Sequence, residues 1–334
     1  MSHLLRRAVF AWLIVAALLA LLEAVPAAPA SALPSAVVRE VTGLEPDAGT
    51  AVVDSRTGRL YAVNERIDQV QVFDPSGVAP PSAVLARGDG PRILRLDSAL
   101  RLLVVLYTET ASLAVFDLAA DDRGADASRY RGSVHLPTGC KPRDVALAPS
   151  ETAFVVGAGC GAFVVADLAS LAVTTEVPGT AAGAVAVDAT RNELWTAEWA
   201  GRALRAFDLT TLGETRSITG PVAADEILLD LDAFRLFVLS GYDLVSVQVR
   251  DSVAFDLTGG QGETVDADID YLHHTLFTLS RTGTLTGYDL TRPGLPARSG
   301  RLDGIGRCRS LAVDAQLETV DVLCPREGVV RVVG

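Results

Sequence analysis

The sequence predicts an all-β fold: a seven-bladed β-propeller of four-stranded antiparallel blades, with the ring closed by the N-terminal strand joining the last blade. Three observations predict it. An apolar segment that usually ends in aspartate recurs seven times along the chain. Successive copies lie 40 to 51 residues apart, a spacing typical of propeller blades and longer than most helical-pair repeats. A spare outer strand precedes the first copy, whereas the last copy lacks one.

The first element is a predicted signal peptide over residues 1–32. Two arginines precede an apolar run over residues 8–22, and small residues at 30–32 provide a cleavage site for a signal peptidase. The run is shorter than the roughly 20 residues of a membrane span, although an uncleaved anchor is the alternative. We therefore expect a secreted protein, periplasmic or extracellular. Its mature chain is predicted to be a single propeller domain over residues 33–334, without a transmembrane span.

Each repeat copy begins with an inner strand that ends at an anchor residue, which is aspartate in six copies and alanine in one. The anchors are Asp54, Asp97, Ala148, Asp188, Asp230, Asp270 and Asp314. Aspartate at this position is explained as a turn former. Two further apolar strands and a more polar outer strand follow each turn, and their period-2 alternation indicates strands rather than helices.

The outer strands predict how the ring closes. They are expected near residues 36–42, 82–86, 130–136, 172–177, 214–219, 252–257 and 298–303. The first lies ahead of the first inner strand, and the seventh copy stops at Gly334, just after its third strand. Pairing of residues 36–42 with the last blade closes the ring and leaves no unpaired sheet edge at the seam.

Four cysteines support this layout. Cys140 and Cys308 lie in the loops that lead into the inner strands of the third and seventh blades. Cys160 and Cys324 lie in the loops between the second and third strands of the same two blades. These two kinds of loop emerge at the same end of a four-stranded meander, so the sequence favours Cys140–Cys160 and Cys308–Cys324 over the other two connectivities. Free or metal-binding thiols are the alternative, although no Cys-x-x-Cys is present.

Several repeat segments resemble a known family. Residues 139–149 and 88–92 are similar to the start of YVTN-type (YncE-like) propeller repeats, and residues 57–64 are similar to the second-strand signature that names them. The resemblance covers about residues 36–334 and places the chain near the WD40/YVTN repeat-like superfamily. It implies a seven-bladed propeller but no particular activity. Related propellers include lactonase-like hydrolases, streptogramin lyases, dehydrogenase subunits and binding proteins without known chemistry.

The first candidate site is the loop-rich face, formed by the loops leading into the inner strands and by the loops between second and third strands. Exposed arginine and aromatic side chains often anchor binding surfaces. The predicted ligand-binding residues are Arg92, Arg143, Arg309, Tyr107, Glu198, Trp199 and Tyr242. They suit an anionic small ligand or a protein partner. The alternative is that the arginines pair with carboxylates of neighbouring blades.

The second candidate site consists of acidic residues on the inner strands of the fifth and sixth blades. Those outside the anchor positions are Asp225, Glu226, Asp266 and Asp268. Inner strands line the central channel of a propeller, so these carboxylates are candidate ligands for Ca²⁺, which prefers oxygen donors. An acidic, hydrated channel is the alternative. No other cofactor is predicted.

No catalytic constellation is recognisable in the sequence. Lactonase- and lyase-like propellers carry histidine and glutamate on the loop-rich face, whereas His135 falls in an outer strand and His273 and His274 fall in a turn at the opposite end. The net charge of −12 disfavours nucleic acid as a partner, because a phosphate backbone needs a basic surface. The sequence therefore predicts an exported binding or scaffold protein for a protein or small-molecule ligand. A lactonase- or lyase-like enzyme with a metal or carboxylate site is the alternative.

Overall fold

A computed structural model describes residues 35–74, 83–85, 88–119, 129–221, 223–257, 263–292 and 294–334. Within these residues, 28 strands form seven four-stranded antiparallel sheets, as the repeat predicts. The predicted signal peptide lies outside the described residues. Nowhere in the described part of the chain is there a helix long and apolar enough to cross a bilayer.

The strands follow one another as consecutive meanders, each of which forms one blade. The first described strand is β1 (Val37–Thr42), and blade one contains β2 (Ala48–Asp54), β3 (Arg59–Asn64), β4 (Gln69–Phe73) and β5 (Ala83–Leu85). Blade two contains β6 (Pro91–Asp97), β7 (Leu102–Tyr107), β8 (Ser112–Asp117) and β9 (Arg129–His135). Blade three contains β10 (Lys141–Ala148), β11 (Thr152–Ala158), β12 (Phe163–Asp167) and β13 (Ala172–Val177).

The remaining four blades repeat the same order of strands. Blade four contains β14 (Ala182–Asp188), β15 (Glu193–Glu198), β16 (Ala203–Asp208) and β17 (Glu214–Thr219), and blade five contains β18 (Ala224–Asp230), β19 (Arg235–Ser240), β20 (Asp243–Gln248) and β21 (Val253–Asp256). Blade six contains β22 (Thr264–Asp270), β23 (Thr275–Ser280), β24 (Leu285–Asp289) and β25 (Ala297–Leu302). Blade seven contains β26 (Ser310–Asp314), β27 (Thr319–Cys324) and β28 (Val329–Val333), with β1 as its outer strand.

The anchor aspartates form the turns that follow the inner strands. Asp54 Oδ1 accepts a hydrogen bond from Arg56 N at 3.3 Å, and Asp188 Oδ1 accepts one from Thr190 N at 3.0 Å. The anchors of blades two, five, six and seven make equivalent bonds to backbone N–H groups two or three residues later. The structure thus confirms their role as turn formers. In blade three, which has alanine as its anchor, Ser150 adopts a positive φ of 71° in this turn.

A β-bulge near the start of the inner strand positions residues on the loop-rich face. The pairing register shifts there in blades one to six. The extra residue at a bulge has no partner on the neighbouring strand, so its side chain is redirected. Arg92, Arg143 and Asp225 occupy this position in blades two, three and five. The bulge explains why side chains five residues before an anchor reach the loop-rich face.

The ring closes as predicted. β1 pairs antiparallel with β28, from Val37 opposite Val333 to Thr42 opposite Val329. A salt bridge between Arg331 Nε and Glu40 Oε1, 2.7 Å long, joins the same two strands. The outer strand of the last blade therefore comes from the N-terminal end of the propeller.

Both predicted disulfides form. Cys140 pairs with Cys160 and Cys308 pairs with Cys324, and no free cysteine is left among the described residues. Each bridge connects two loops of one blade on the loop-rich face. Two disulfides fit an oxidising extracellular or periplasmic location.

Candidate functional site

The central channel contains two cavities that share a ring of lining side chains. The upper cavity, of about 440 Å³, opens to the loop-rich face. The lower one, of about 770 Å³, reaches the turns that follow the anchors. The side chains that line both cavities define the channel waist: Thr50, Arg95, Glu226, Asp266 and Ser310.

Two of the predicted calcium ligands join blade six to blade seven. Asp266 Oδ2 accepts hydrogen bonds from Ser310 Oγ at 2.6 Å and from Leu311 N at 2.8 Å. Asp268 Oδ2 accepts one from Val313 N at 3.0 Å. The Oδ1 atom of each carboxylate accepts the N–H of the next residue in its own strand. Both oxygens of each carboxylate are therefore engaged by the protein itself.

The waist also carries an ion pair that connects blades two and three. Arg95 Nη2 lies 2.8 Å from Asp144 Oδ1, and Arg95 Nε donates to Val145 O at 3.0 Å. Asp144 Oδ2 accepts the N–H of Val185 in blade four at 3.0 Å. Across the channel, the same Arg95 nitrogen is 3.9 Å from Glu226 Oε1 in blade five. One arginine thus faces carboxylates from two sides.

The environment of the waist raises the pKa of its carboxyl groups. Burial raises the pKa of Glu226 well above its usual range, and the neighbouring Asp266 carboxylate raises it further. Burial raises the pKa of Asp266 and of Asp268 to about 6, even though backbone hydrogen bonds oppose the effect. Carboxyl groups with raised pKa values are candidates for proton transfer when they lie in a cleft.

The predicted calcium ligands do not all come together. Asp225 is directed away from the waist, where its Oδ2 accepts the N–H of Gly241 at 3.0 Å and its Oδ1 lies 3.8 Å from Arg143 Nη2. In the described ranges, no group of three or more His, Cys, Asp or Glu side chains is placed to hold a metal ion. Calcium in the channel stays a prediction.

Several predicted ligand-binding residues are held by partners within the protein. The guanidinium of Arg143 stacks on Trp199, 3.2 Å from the ring centroid, in addition to facing Asp225. Arg92 Nη1 lies 3.8 Å from Glu65 Oε1, and Glu198 accepts a 2.8 Å hydrogen bond from Arg205. Arg92 therefore faces a carboxylate of a neighbouring blade, as in the alternative interpretation of this face, whereas Arg143 of blade three faces Asp225 of blade five, two blades away.

Tyr107 requires a correction. It was predicted as an exposed aromatic residue of the loop-rich face, but it is fully buried. Tyr107 is the last residue of β7, opposite Pro91 of β6 and Ser112 of β8, and its ring packs into the core between blades one and two. A position at the end of a strand favours exposure. Core residues of blades one and two, however, pack around the Tyr107 ring.

The remaining two predicted residues, Arg309 and Tyr242, border a cavity of about 740 Å³ on the loop-rich face. We call it the arginine pocket, because four exposed arginines line it: Arg281, Arg307, Arg309 and Arg326. Among the described residues, no carboxylate oxygen lies within 4.0 Å of any of these four guanidinium groups. The guanidinium of Arg281 is 5.2 Å from the ring centroid of Tyr242. Asp47 also lines the cavity, with its carboxylate 3.1 Å from Arg66, so the pocket combines four arginines with one aspartate and one tyrosine.

The seventh blade holds three of these arginines in place. The Cys308–Cys324 disulfide ties the loop that carries Arg307 and Arg309 to the loop that carries Arg326. Arg309 N also donates to Leu323 O at 2.8 Å. Glu327, the acidic residue that follows Arg326, lies 2.7 Å from Arg331, which also pairs with Glu40, and its Oε1 accepts the N–H of Arg307 at 3.2 Å. The disulfide therefore fixes the relative positions of two loops of the pocket.

Three residues of the arginine pocket, Arg281, Arg307 and Arg326, were not predicted from the sequence. A signal for them existed, since Arg281 and Arg326 occupy the loop between second and third strands in the adjacent blades six and seven. What the sequence did not show is which arginines have partners. That depends on side chains from other blades.

No protein-family model matches the chain, and no curated protein matches it. The architecture itself is established as a seven-bladed β-propeller, which is consistent with a propeller repeat superfamily. Function must therefore be inferred from the geometry of the site.

Proposed function

We propose that this chain is an exported binding propeller of the YVTN type that holds an anionic small molecule in the arginine pocket without catalysing a reaction. One observation supports this most: four exposed arginines line one cavity beside Asp47 and Tyr242, and no carboxylate oxygen of the described residues lies within 4.0 Å of their guanidinium groups. Arginine is suited to this task because its planar fork binds carboxylate or phosphate through two parallel hydrogen bonds.

The four arginines of the pocket have no carboxylate partner within 4.0 Å among the described residues, in a chain with a net charge of −12. Many other arginines pair with acidic side chains. Arg95, Arg101 and Arg235, for example, each lie within 2.8 Å of an aspartate oxygen. Four like charges around one cavity repel one another, so they do not stabilise the folded chain. A bound anion relieves this repulsion.

The pocket is also well prepared for binding. Because the Cys308–Cys324 disulfide fixes two of its loops, little conformational entropy is lost when a ligand binds. Tyr242 and Arg281 form one wall, which suits a ligand with a planar or apolar portion beside its anionic groups. We infer export from the predicted signal peptide, and the two disulfides agree with it.

Removal of a pocket arginine is expected to weaken anion binding. Hydrogen bonds to charged groups contribute about 1.5–3 kcal/mol, so Arg309→Ala and Arg326→Ala should each raise the Kd roughly 10- to 100-fold. The measurement is isothermal titration of the purified protein with inorganic phosphate, pyrophosphate and citrate. The anion that binds most tightly then serves as the probe for the variants.

Arg143→Ala is the matched control, because Arg143 lies on the same face but is stacked on Trp199 and faces Asp225. Its Kd should stay close to that of the wild type. The proposal is wrong if no anion of the panel binds. It is also wrong if Arg143→Ala weakens binding as much as Arg309→Ala does.

A second candidate function is a lactonase- or lyase-like enzyme, and one observation favours it. Glu226 lines the upper channel cavity, and its raised pKa suits a general acid. Turnover of a lactone and ester panel that is lost in Glu226→Gln and kept in Arg309→Ala would support this alternative. Binding without turnover supports the first function.

A further inference from the structure

A cavity of about 70 Å³ lies between blades seven and one, where the ring closes. We call it the seam cavity. A single water needs roughly 10–15 Å³, so the seam cavity can hold a group of several non-hydrogen atoms. Apolar side chains form most of its wall, together with three aspartates and one arginine. The polar and charged residues that line it are Arg39, Asp74, Asp314, Thr319 and Asp321.

Asp321 departs from the pattern of the repeat. It lies on β27 opposite Ala312, is only 8% exposed, and makes no hydrogen bond or ion pair with the described part of the chain. The equivalent residue of every other blade is a buried hydrophobic one that packs towards the next blade. These residues are Tyr61, Val104, Phe154, Trp195, Phe237 and Phe277. Because a charged carboxylate is costly to bury alone, Asp321 must bind either a proton or a cation.

The space beside Asp321 is open because the facing turn of blade one ends in glycine. Gly58 is the last residue of this turn and lines the seam cavity. Its φ of 70° is positive, yet the turn does not require glycine, because residues with side chains adopt φ values of 51° to 57° there in the other six blades. These residues are Arg101, Glu151, Asn192, Phe234, His274 and Glu318. Gly58 therefore lacks a side chain that every other blade has at this position.

Side chains at the position of Gly58 contact the preceding blade elsewhere in the ring. Phe234 of blade five packs edge-on against Trp195, the residue of blade four that is equivalent to Asp321. Glu151 of blade three accepts a 2.9 Å hydrogen bond from Arg131 of blade two. At the seam, the corresponding space is the cavity beside Asp321.

The junction between blades one and two shows which group suits carboxylates in such a space. Arg101 is only 5% exposed, and its guanidinium group pairs with Asp54, the anchor of blade one. At the seam, Asp314 is the equivalent anchor, and Gly58 has the position equivalent to Arg101. The seam cavity thus provides carboxylates, including that of Asp321, without the guanidinium group that pairs with them in the next junction.

We propose that the seam cavity binds an alkylguanidinium cation, with the guanidinium group on the carboxylates of Asp321 and Asp314. A planar guanidinium group binds carboxylates through parallel hydrogen bonds. Leu60 and Phe73 in the wall suit the alkyl portion. Arg39 contributes one positive charge to the lining, against three aspartates. This site is separate from the arginine pocket and does not depend on the function proposed above.

Isothermal titration of the protein with methylguanidinium at pH 8 tests the proposal. Burial raises the pKa of Asp321 to about 7, the Asp314 carboxylate raises it further, and the charge of Arg39 opposes the rise. At pH 8 the carboxyl group is therefore mostly charged. Methylurea, which has nearly the same shape but no charge, is the matched control ligand. Asp321→Asn removes the charge at the seam, and Glu226→Gln is the control at the channel waist.

We expect one methylguanidinium to bind per chain, with a Kd that rises at least 10-fold in Asp321→Asn and stays unchanged in Glu226→Gln. Methylurea should not bind. The proposal is overturned if methylguanidinium does not bind or if methylurea binds equally well. It is also overturned if Glu226→Gln weakens binding more than Asp321→Asn does. Equally tight binding of N-acetylarginine amide would show that an arginine side chain can supply the same group.

A further variant supplies the cation from the chain itself. Gly58→Arg should fill the seam cavity as Arg101 fills the next junction, abolish methylguanidinium binding and raise the midpoint of thermal unfolding at pH 8 by several degrees. Gly58→Asn is the matched control, because Asn192 adopts a positive φ at the equivalent position. A midpoint for Gly58→Arg no higher than that for Gly58→Asn would count against a cation site at the seam.

Discussion

Asp144→Ala is expected to lower the free energy of unfolding by about 3–5 kcal/mol, the range measured when one partner of a buried ion pair is removed. Asp144 is almost completely buried and accepts hydrogen bonds from three directions: Arg95 Nη2, Val145 N and Val185 N. Its carboxylate therefore connects the inner strands of blades two, three and four. Alanine removes the nearer of the two carboxylates that face Arg95, leaving Glu226 at 3.9 Å, and leaves two backbone N–H groups unsatisfied.

Equilibrium urea unfolding with intact disulfides measures this effect. The matched control is Glu214→Ala, which breaks the exposed pair between Glu214 and Arg205. Exposed pairs contribute up to about 1 kcal/mol, so the control should stay within that limit of the wild type. A similar small loss for Asp144→Ala would show that Asp144 does not join the blades.

The second large effect concerns Asp321 and pH. Asp321 lies on β27 opposite Val332 of β28, next to a small cavity between blades seven and one. Burial raises its pKa from 3.8 to about 7; the Asp314 carboxylate raises it further, and the charge of Arg39 opposes the rise. The stability that this proton provides is complete below pH 3.8 and is lost as the pH rises through 7. A rise from 3.8 to about 7 corresponds to about 4 kcal/mol.

Asp321→Asn carries no charge at any pH, so its stability relative to the wild type should increase by about 4 kcal/mol between about pH 4 and about pH 8. The measurement is urea unfolding of both proteins across this range. Glu318→Gln on the same blade, at an exposed position, should show no such trend. If the difference between Asp321→Asn and the wild type is independent of pH, the Asp321 carboxyl is not buried at the seam.

The architecture could be predicted from the sequence because each of its signals is local and repeated. The anchor aspartates, such as Asp54 and Asp188, form their turns with residues two or three positions away, so their spacing alone reports the blades. Ring closure could also be predicted, because one outer strand precedes the first inner strand and the seventh copy lacks an outer strand of its own. The disulfides followed because both loops of each pair lie in one blade.

The site was harder to predict because its chemistry depends on contacts between blades. Arg143 and Arg309 occupy equivalent positions in the repeat, yet the first stacks on Trp199 of the next blade and the second has no carboxylate partner among the described residues. The sequence shows no partner for Asp266 or Asp268. In the structure, their carboxylates accept hydrogen bonds from N–H groups of blade seven. Neither difference is visible in a single repeat.

The arginine pocket is tested most directly by locating an anion in it. Crystals soaked in selenate, a tetrahedral oxyanion with an anomalous signal, would show every site where oxyanions bind. We expect the strongest anomalous peak between Arg281, Arg307, Arg309 and Arg326, with none beside Arg143. A strongest peak elsewhere, or an empty arginine pocket at a concentration that fills other sites, would contradict the proposed function.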